Sequence, residues 1–397
     1  MMFPPLKLKK NEDKRLRGGH LWVFSNEVDN KATPLGNFTP GEIVTITNHV
    51  DKPLGNAYIN PHSLICARIF SRDINQQLDG HFLQSRLKQA QSLRDDYFAE
   101  PYYRLAFSEA DLIPGLIIDR FGQSVVVQIS TLGMELRQAD IIASIEANLQ
   151  PETIIINNQT RIRELEGLEC YSKIALGSPG EYLEVDENNC RFYFPAVQGQ
   201  KTGWFYDHRI NRRALCHWVK GKRVLDVFSY LGGWGIQAAA ADASHVTCID
   251  SSALACDLIR KNAQANNVDE LVSIIHSDAF DSLQNLKQSN EKFDVIVLDP
   301  PAFVKRKKDI QQGTIAYQRL NKLAMQLLLP HGILTSASCS YHFSREQHLK
   351  MLSSCAQQMR YSIQIIQDGG LGPDHPVHPA IPETNYLSCF TVRVLQD

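Results

Sequence analysis

From about residue 186 onward, short apolar runs alternate with stretches of helical period, and no other feature narrows the fold of this chain as sharply. Residues 224–228, 246–249, 272–276, 293–298 and 332–337 read as strands. Residues 235–241, 253–266 and 317–329 read as helices, and a closing strand is expected at 387–394. A strand at 192–194 and a helix at 207–219 lead into the region. Such alternation implies a parallel sheet with helices on both faces, because each crossover must pack back onto the sheet it leaves. Asp226, Asp250, Asp278 and Asp299 each stand at or just past the end of an expected strand. In sheets of this kind a ligand lies beyond the carboxyl ends of the strands, so these acids are candidate ligand contacts.

The first strand runs into Asp226-Val227-Phe228-Ser229-Tyr230-Leu231-Gly232-Gly233-Trp234-Gly235, whose glycines let a ligand approach the backbone closely. Asp226, Phe228, Ser229, Gly232 and Gly233 are the candidate cofactor contacts there; the bland reading is a tight structural turn. The loop is not GxGxxG, and an acid ending the strand repels a pyrophosphate but tolerates a cationic sulfonium or amino group. S-adenosylmethionine (SAM) therefore fits better than a dinucleotide. Asp250, 24 residues after Asp226, has the spacing of an acid that receives a ribose hydroxyl pair. Asp278 can accept from an adenine amino group or cap a following helix. Asp299-Pro300-Pro301-Ala302-Phe303 is a rigid, extended turn, able to present carbonyls and a carboxylate to a planar, amino-bearing base. Behind it, Lys305-Arg306-Lys307-Lys308 is either a hold for RNA phosphates or a charged surface loop.

The strand at 332–337 delivers Cys339 to the same edge as Asp299. A thiol there can serve as a nucleophile if its pKa is lowered, or be a small apolar filler. Cytosine C5 is a poor nucleophile toward a methyl sulfonium. Addition of a cysteine to C6 makes C5 enamine-like, an acid near N3 stabilises the adduct, and a base must then remove the C5 proton before the thiolate leaves.

Upstream, residues to about 72 are short apolar runs between Gly and Pro turns, as in a small barrel. They open on Lys7, Lys9, Lys10, Lys14, Arg15 and Arg17, a basic edge that suits RNA or simply a solvated face. Residues 73–185 read as a compact α+β unit, with helices at 82–98 and 135–149, a strand at 153–156, and a hairpin that turns at Asp119-Arg120-Phe121-Gly122. The net charge of −2 names no partner, so any cationic surface must be local. Nine scattered cysteines without a CxxC argue against a disulfide framework or a metal site and for a reducing, cytoplasmic location. No stretch of membrane-spanning length is present in the sequence.

On these residues the chain resembles the bacterial 23S ribosomal RNA (cytosine-5) methyltransferases of the large-subunit methyltransferase I type. The resemblance covers essentially its whole length. His20-Leu21-Trp22-Val23-Phe24-Ser25 looks like the opening of that family's PUA domain, an RNA-binding β-barrel. The segment from Asp111-Leu112-Ile113-Pro114-Gly115 to Asp119-Arg120-Phe121-Gly122 looks like its central domain. Gln198-Gly199-Gln200-Lys201-Thr202-Gly203-Trp204-Phe205-Tyr206-Asp207-His208-Arg209 looks like the segment before its catalytic sheet, where the family usually has Gln in place of His208. The resemblance implies a class I SAM-dependent methyltransferase. It puts Asp226, Asp250, Asp278 and Asp299 around SAM and the target base, and makes Cys339 the nucleophile. Lys201, Thr202 and Asp207 would line the cofactor cleft, or merely cap the helix near Asp207. Many RNA cytosine-5 methyltransferases carry a second cysteine after the motif-four proline. Asp299-Pro300-Pro301-Ala302 has none, an absence this family shares, so another base serves release.

The expectation is an α/β chain of three parts. These are a PUA-like β-barrel at 1–72, a central α+β domain at 73–185 and a Rossmann-like class I methyltransferase domain at 186–397. It would transfer methyl from SAM to C5 of a cytidine in 23S rRNA, free or in an assembling large subunit. Cys339 and Asp299 would be catalytic, Pro300, Pro301 and Phe303 would frame the flipped base, and Lys305 and Arg306 would hold RNA. A dimer would fit the family. The rival readings are methylation of a base nitrogen such as guanine, a non-catalytic RNA-binding assembly factor, and an NAD-dependent oxidoreductase, which the missing GxGxxG disfavours.

Overall fold

In the computed structural model, which describes residues 3–197 and 202–396, the chain divides into two compact units. The first comprises Met1–Leu183, Pro195–Trp204 and Pro373–Thr384; the second comprises Glu184–Phe194, Phe205–Gly372 and Asn385–Asp397.

The first unit contains two five-stranded sheets. One is built from β1 (Pro5–Lys7), β2 (Trp22–Phe24), β3 (Ile43–Thr47), β4 (Pro53–Ile59) and β5 (Ile65–Ser71) in the order β1-β3-β4-β5-β2. β3 is buried at every position, so it shows a continuous β-branched run where a half-exposed strand would alternate. The other sheet is β6 (Tyr102–Phe107), β7 (Leu116–Phe121), β8 (Ser124–Ile129), β9 (Thr153–Asn157) and β10 (Ser172–Leu176), in the order β10-β9-β8-β7-β6. Helices Gly80–Asp95 and Gln138–Leu149 pack on it. Ile43, Tyr58 and Phe70 from the first sheet share one core with Leu83, Leu87 and Ile141 of these helices.

The hairpin turn comes later than expected. β7 runs through Phe121, and Asp119 lies inside the strand, fully buried. Its neighbour Arg104 makes that tolerable, donating to the two carboxylate oxygens at 2.8 and 2.9 Å. Arg94 is likewise buried, donating to both oxygens of Asp111 at 2.7 Å, to the Arg104 carbonyl at 2.9 Å and to the Asp374 carbonyl at 2.8 Å. Arg68 meets Glu166 at 2.7 Å. Within the Pro373–Thr384 segment, Asp374 also accepts from the Arg104 backbone N–H, and Ile381 is buried in the core of the first sheet.

The second unit opens at Glu184, within a hairpin of β11 (Tyr182–Glu187) and β12 (Cys190–Pro195). Asn188 and Asn189 turn it at φ 53° and 64°, a left-handed conformation that Asn tolerates. Seven strands follow: β13 (Arg223–Val227), β14 (His245–Asp250), β15 (Val272–His276), β16 (Phe293–Leu298), β17 (Leu328–Ser338), β18 (Tyr361–Gly369) and β19 (Ser388–Gln396). Their order is β15-β14-β13-β16-β17-β19-β18. The first five are parallel, and β19 runs antiparallel to both its neighbours. This is the Rossmann-like α/β sheet expected from the sequence.

Three details differ from the sequence reading. The helix expected at 317–329 begins at Ile310, because its first turns are polar and carry no apolar period. The helix expected at 207–219 is a 3-10 turn (Tyr206–His208), a short α-helix (Arg209–Leu215) and a second 3-10 turn (Cys216–Trp218). Helices Ala279–Gln288 and Arg345–Gln358 and the edge strands β10 and β18 add elements. Among the described residues no helix is long and apolar enough to cross a membrane.

Candidate active site

Register brings the strand-end acids together. Val227 pairs with both Ile249 and Leu298, so Phe228 follows between Asp250 and Asp299. Asp250 pairs with His276, two residues before Asp278. The loop after β13 is held in an unusual conformation, with Phe228 at φ 67°, Tyr230 at 51° and Gly232 at 80°. Such backbone costs on the order of 1–3 kcal/mol per non-glycine residue and persists only where the surroundings enforce it. Here the N–H groups of Phe228 and Ser229 both donate to the Ile249 carbonyl at 3.0 Å, and that of Tyr230 to Asp250 Oδ2 at 2.9 Å. At Gly235 an added Cβ would lie 2.6 Å from Cys248 Sγ, so this glycine serves close packing of helix Gly233–Ala240 on β14.

Asp226 is fully buried. Its Oδ2 accepts from the Gly235 N–H at 2.9 Å, and its Oδ1 has no hydrogen-bond partner among the described residues. Burial pushes its carboxyl up; the Gly235 N–H opposes this, Asp299 adds to it, and the result is about 7. Asp250 is partly exposed, with Oδ1 accepting from the Ser252 N–H at 2.9 Å. Asp278 is exposed, and its Oδ1 accepts from the N–H groups of Phe280 (2.8 Å) and Asp281 (3.2 Å) as the N-cap of helix Ala279–Gln288. The capping reading of Asp278 is therefore realised in the fold.

Asp299 is clamped on both oxygens. The Trp234 Nε1–H donates to Oδ2 at 3.1 Å, and His208 Nε2 faces Oδ1 at 3.2 Å. Burial disfavours charge on both partners, yet their mutual attraction wins. It pushes the buried His208 imidazole up to about 10 and holds the Asp299 carboxyl below its usual range.

β17 ends in Ser338, and Cys339 follows, half-buried, between two buried serines. Beneath them lies the buried Tyr317 of helix Ile310–Leu327. Its hydroxyl accepts from Ser338 Oγ at 2.9 Å and pairs with Ser340 Oγ at 2.9 Å, while the Val304 N–H donates to Ser340 Oγ at 3.1 Å. One phenol thus ties the cysteine-bearing turn to the turn after Asp299. Pro300 is buried and Pro301 exposed. Phe303 is half-buried, its ring 4.8 Å from Tyr317 and 6.5 Å from Phe280, so it is partly committed to internal packing. Lys305 and Arg306 are exposed, the latter paired with Asp309 at 3.2 Å.

Of the remaining candidates, Lys201 lies outside the described residues. Thr202 belongs to the first unit and is buried, its Oγ1 without a hydrogen-bond partner among the described residues. Asp207 is buried and does not cap the following helix; its Oδ2 accepts from the Tyr386 hydroxyl at 2.6 Å. The basic edge of the first sheet is smaller than its sequence, since Lys7 pairs with Asp51, Arg15 with Glu27 and Arg17 with Asp13.

Residues 6–72 match the model of a PUA-like domain, and residues 112–361 that of an S-adenosylmethionine-dependent methyltransferase. The chain is 35% identical to the ribosomal RNA large subunit methyltransferase I of Klebsiella pneumoniae over 99% of each chain. It is also 35% identical to that of Escherichia coli O157:H7, over 98% of this chain and 99% of the relative. The chain belongs to the ribosomal RNA large subunit methyltransferase I family. Among solved structures, a SAM-dependent methyltransferase from Streptococcus mutans aligns with a TM-score of 0.83, over 98% of this chain and 100% of that one. At 20% identity that likeness speaks to the fold alone.

SAM-dependent methyltransferases must receive the ammonium of a zwitterionic amino acid end and a ribose, and the residues here fit that group. The orphaned Asp226 oxygen is a buried acceptor without a donor, which suits an ammonium. Asp250 at the next strand end retains acceptor capacity for hydroxyls. Sequence reasoning missed Trp234, His208 and Tyr317, which contact Asp299 and the Cys339 turn of this candidate site. Trp234 carried a signal, being an indole inside a glycine-rich loop. Tyr317 carried none, since its helical spacing is that of an ordinary core residue.

Proposed function

We propose that this methyltransferase modifies C5 of a cytidine in 23S rRNA through a covalent adduct at Cys339. The observation that carries the reading is the pairing of two turns on adjacent parallel strands. Asp299 follows β16 and Cys339 follows β17, and Tyr317 braces both turns from below. The name of the full-length relatives, ribosomal RNA large subunit methyltransferase I, supports an rRNA substrate. In this scheme Asp226 receives the ammonium of SAM, Asp250 its ribose, and Asp278, Phe228, Ser229, Gly232 and Gly233 border it, with Asp207 at its edge. Bound SAM supplies an electrophilic methyl group. The Cys339 thiolate adds to C6, the ionised Asp299 accepts from the N4 amino group of the base, and the electron pair displaced from the C5–C6 double bond makes C5 nucleophilic. After transfer a base other than a second cysteine takes the C5 proton, and the electron pair of that C–H bond re-forms the C5–C6 double bond and expels the Cys339 thiolate. The base leaves its stack at a cost of a few kcal/mol and is framed by Pro300, Pro301 and Phe303.

The PUA-like residues 1–72 would hold the RNA backbone, with 73–185 and 186–397 as central and catalytic parts. Lys10 and Lys14 are exposed on that module, and Lys305 and Arg306 would add contacts beside the site. Nine unbridged cysteines suit a reducing cytoplasm, and a homodimer is the assembly we expect. Nucleoside mass spectrometry of unmodified 23S rRNA incubated with protein and SAM tests the reading. New 5-methylcytidine that disappears in Cys339→Ala is the expected result. A methylated guanosine, or full turnover by Cys339→Ala, would overturn the covalent scheme.

A further inference from the structure

His208 lies in the turn Tyr206–His208, and only 3% of it is exposed. The residues after it are anchored rigidly. Arg212 donates to the two carboxylate oxygens of buried Glu187 at 2.6 and 3.1 Å, and Arg209 reaches the same carboxylate at 3.4 Å. Asn211 is fixed by Gly370, donating to its carbonyl at 2.9 Å and accepting from its N–H at 3.1 Å; its amide nitrogen lies 3.3 Å from His208 Nδ1. The imidazole ring packs 5.3 Å from Trp234. One ring nitrogen is thus aimed at Asp299, and the indole beside it takes the other carboxylate oxygen.

We infer that His208 is a positioning residue for Asp299: with Trp234 it clamps both carboxylate oxygens, fixing the plane and charge in which that acid meets the target base. The inference rests on Asp299 facing the base, as in the proposed function. Two donors, one on each oxygen, remove the rotation about the terminal bond that a free carboxylate keeps, and each oxygen retains a lone pair for an amino hydrogen. The groups that face His208 are Asp299, Asp207 from its own turn and Cys389 from β19; Asp226 lies beyond Asp299, and the Arg209 guanidinium turns away to Glu187. The surroundings on this side are acidic, so the imidazole is the cation that keeps Asp299 ionised.

Two substitutions separate the hydrogen bond, the charge and the packing. His208→Gln keeps an N–H donor and loses the charge. His208→Phe keeps the ring and loses both. Methyl transfer from labelled SAM is followed at varied pH, with SAM affinity measured separately. Turnover in His208→Gln is expected to stay within about 3-fold and in His208→Phe to fall about 100-fold, as for a slightly misplaced catalytic group, with SAM affinity unchanged in both. The acid limb of the rate profile is expected to move up by about one pH unit in both variants, because Asp299 has lost its cation. A His208→Phe enzyme with wild-type turnover and an unmoved acid limb would overturn the inference, as would equal losses in both variants. The identity of the methylated nucleoside is read in the same samples, so a product other than 5-methylcytidine would defeat the proposed function without deciding the role of His208.

Discussion

In the first unit, Arg94, Arg104 and Arg68 are buried against Asp111, Asp119 and Glu166, with carboxylate and guanidinium meeting at 2.7–2.9 Å. In the second, Asp226 is buried as deeply, but it receives one backbone N–H and keeps one oxygen without a partner among the described residues. The same side-chain chemistry is treated in opposite ways. A buried ion whose only task is to be tolerated acquires a counter-ion within the fold, because a lone one costs several kcal/mol. A buried acid left incomplete is what the role proposed for Asp226 requires, an acceptor waiting for a ligand's positive charge.

The largest effect that would test this contrast is in the first unit. Arg94→Met leaves Asp111 without its guanidinium partner and the Asp374 carbonyl without the Arg94 donor, and should destabilise that unit by about 3–5 kcal/mol. A lowered urea midpoint with unchanged SAM affinity is the expected outcome, and a matching loss of SAM affinity would break the contrast. Asp226→Asn should do the reverse, weakening SAM binding about 10–100-fold by calorimetry while the ligand-free protein gains stability. The sign follows from the carboxyl being pushed up to about 7. Between about pH 4 and pH 7 the folded chain holds a proton that the unfolded chain has shed, so stability declines as pH rises through this window and stays lower above it. The loss is on the order of 4 kcal/mol. At pH 8 the Asn variant should therefore melt higher than the wild type without SAM, and near pH 4 the two should converge. The smallest effect belongs to Asp278→Ala. Loss of its cap should cost about 1 kcal/mol, and its effect on SAM binding should be well below that of Asp226→Asn, since an exposed acid stores no comparable burial cost.

The catalytic sheet was legible because β13, β14 and β16 are buried apolar runs, the way parallel strands announce themselves, and because even the half-exposed edge strand β15 keeps Val272, Ile274 and Ile275 together. β18 was not, because it is an edge strand whose residues are mostly half-buried or exposed. Helix Arg345–Gln358 was legible in principle. Ser344 and Gln347 form a capping box, and His348, Met351, Leu352, Cys355 and Ala356 keep a strict buried stripe, but its many polar residues hid the period. The four strand-end acids could be read one by one; which of them is buried, capping or clamped could not. That depends on partners far away in sequence: Asp299 is completed by His208 and Trp234, and the Cys339 turn by Tyr317. The missed contacts are long-range side-chain bonds, to which local periodicity is blind.

The Pro373–Thr384 segment bears on how the molecule is made. A ribosome emits the first unit's sheets early, and N-terminal domains usually fold as they emerge. Here the core of the first sheet waits for Ile381, and the buried Arg94 waits for the Asp374 carbonyl, both of which arrive only after most of the catalytic sheet has been synthesised. Until then a guanidinium destined for the interior lacks one of its acceptors and an apolar core has a gap. The part of the protein translated first is thus among the last to be finished, and a nascent chain halted before residue 373 would carry an open first unit however long it was given to fold.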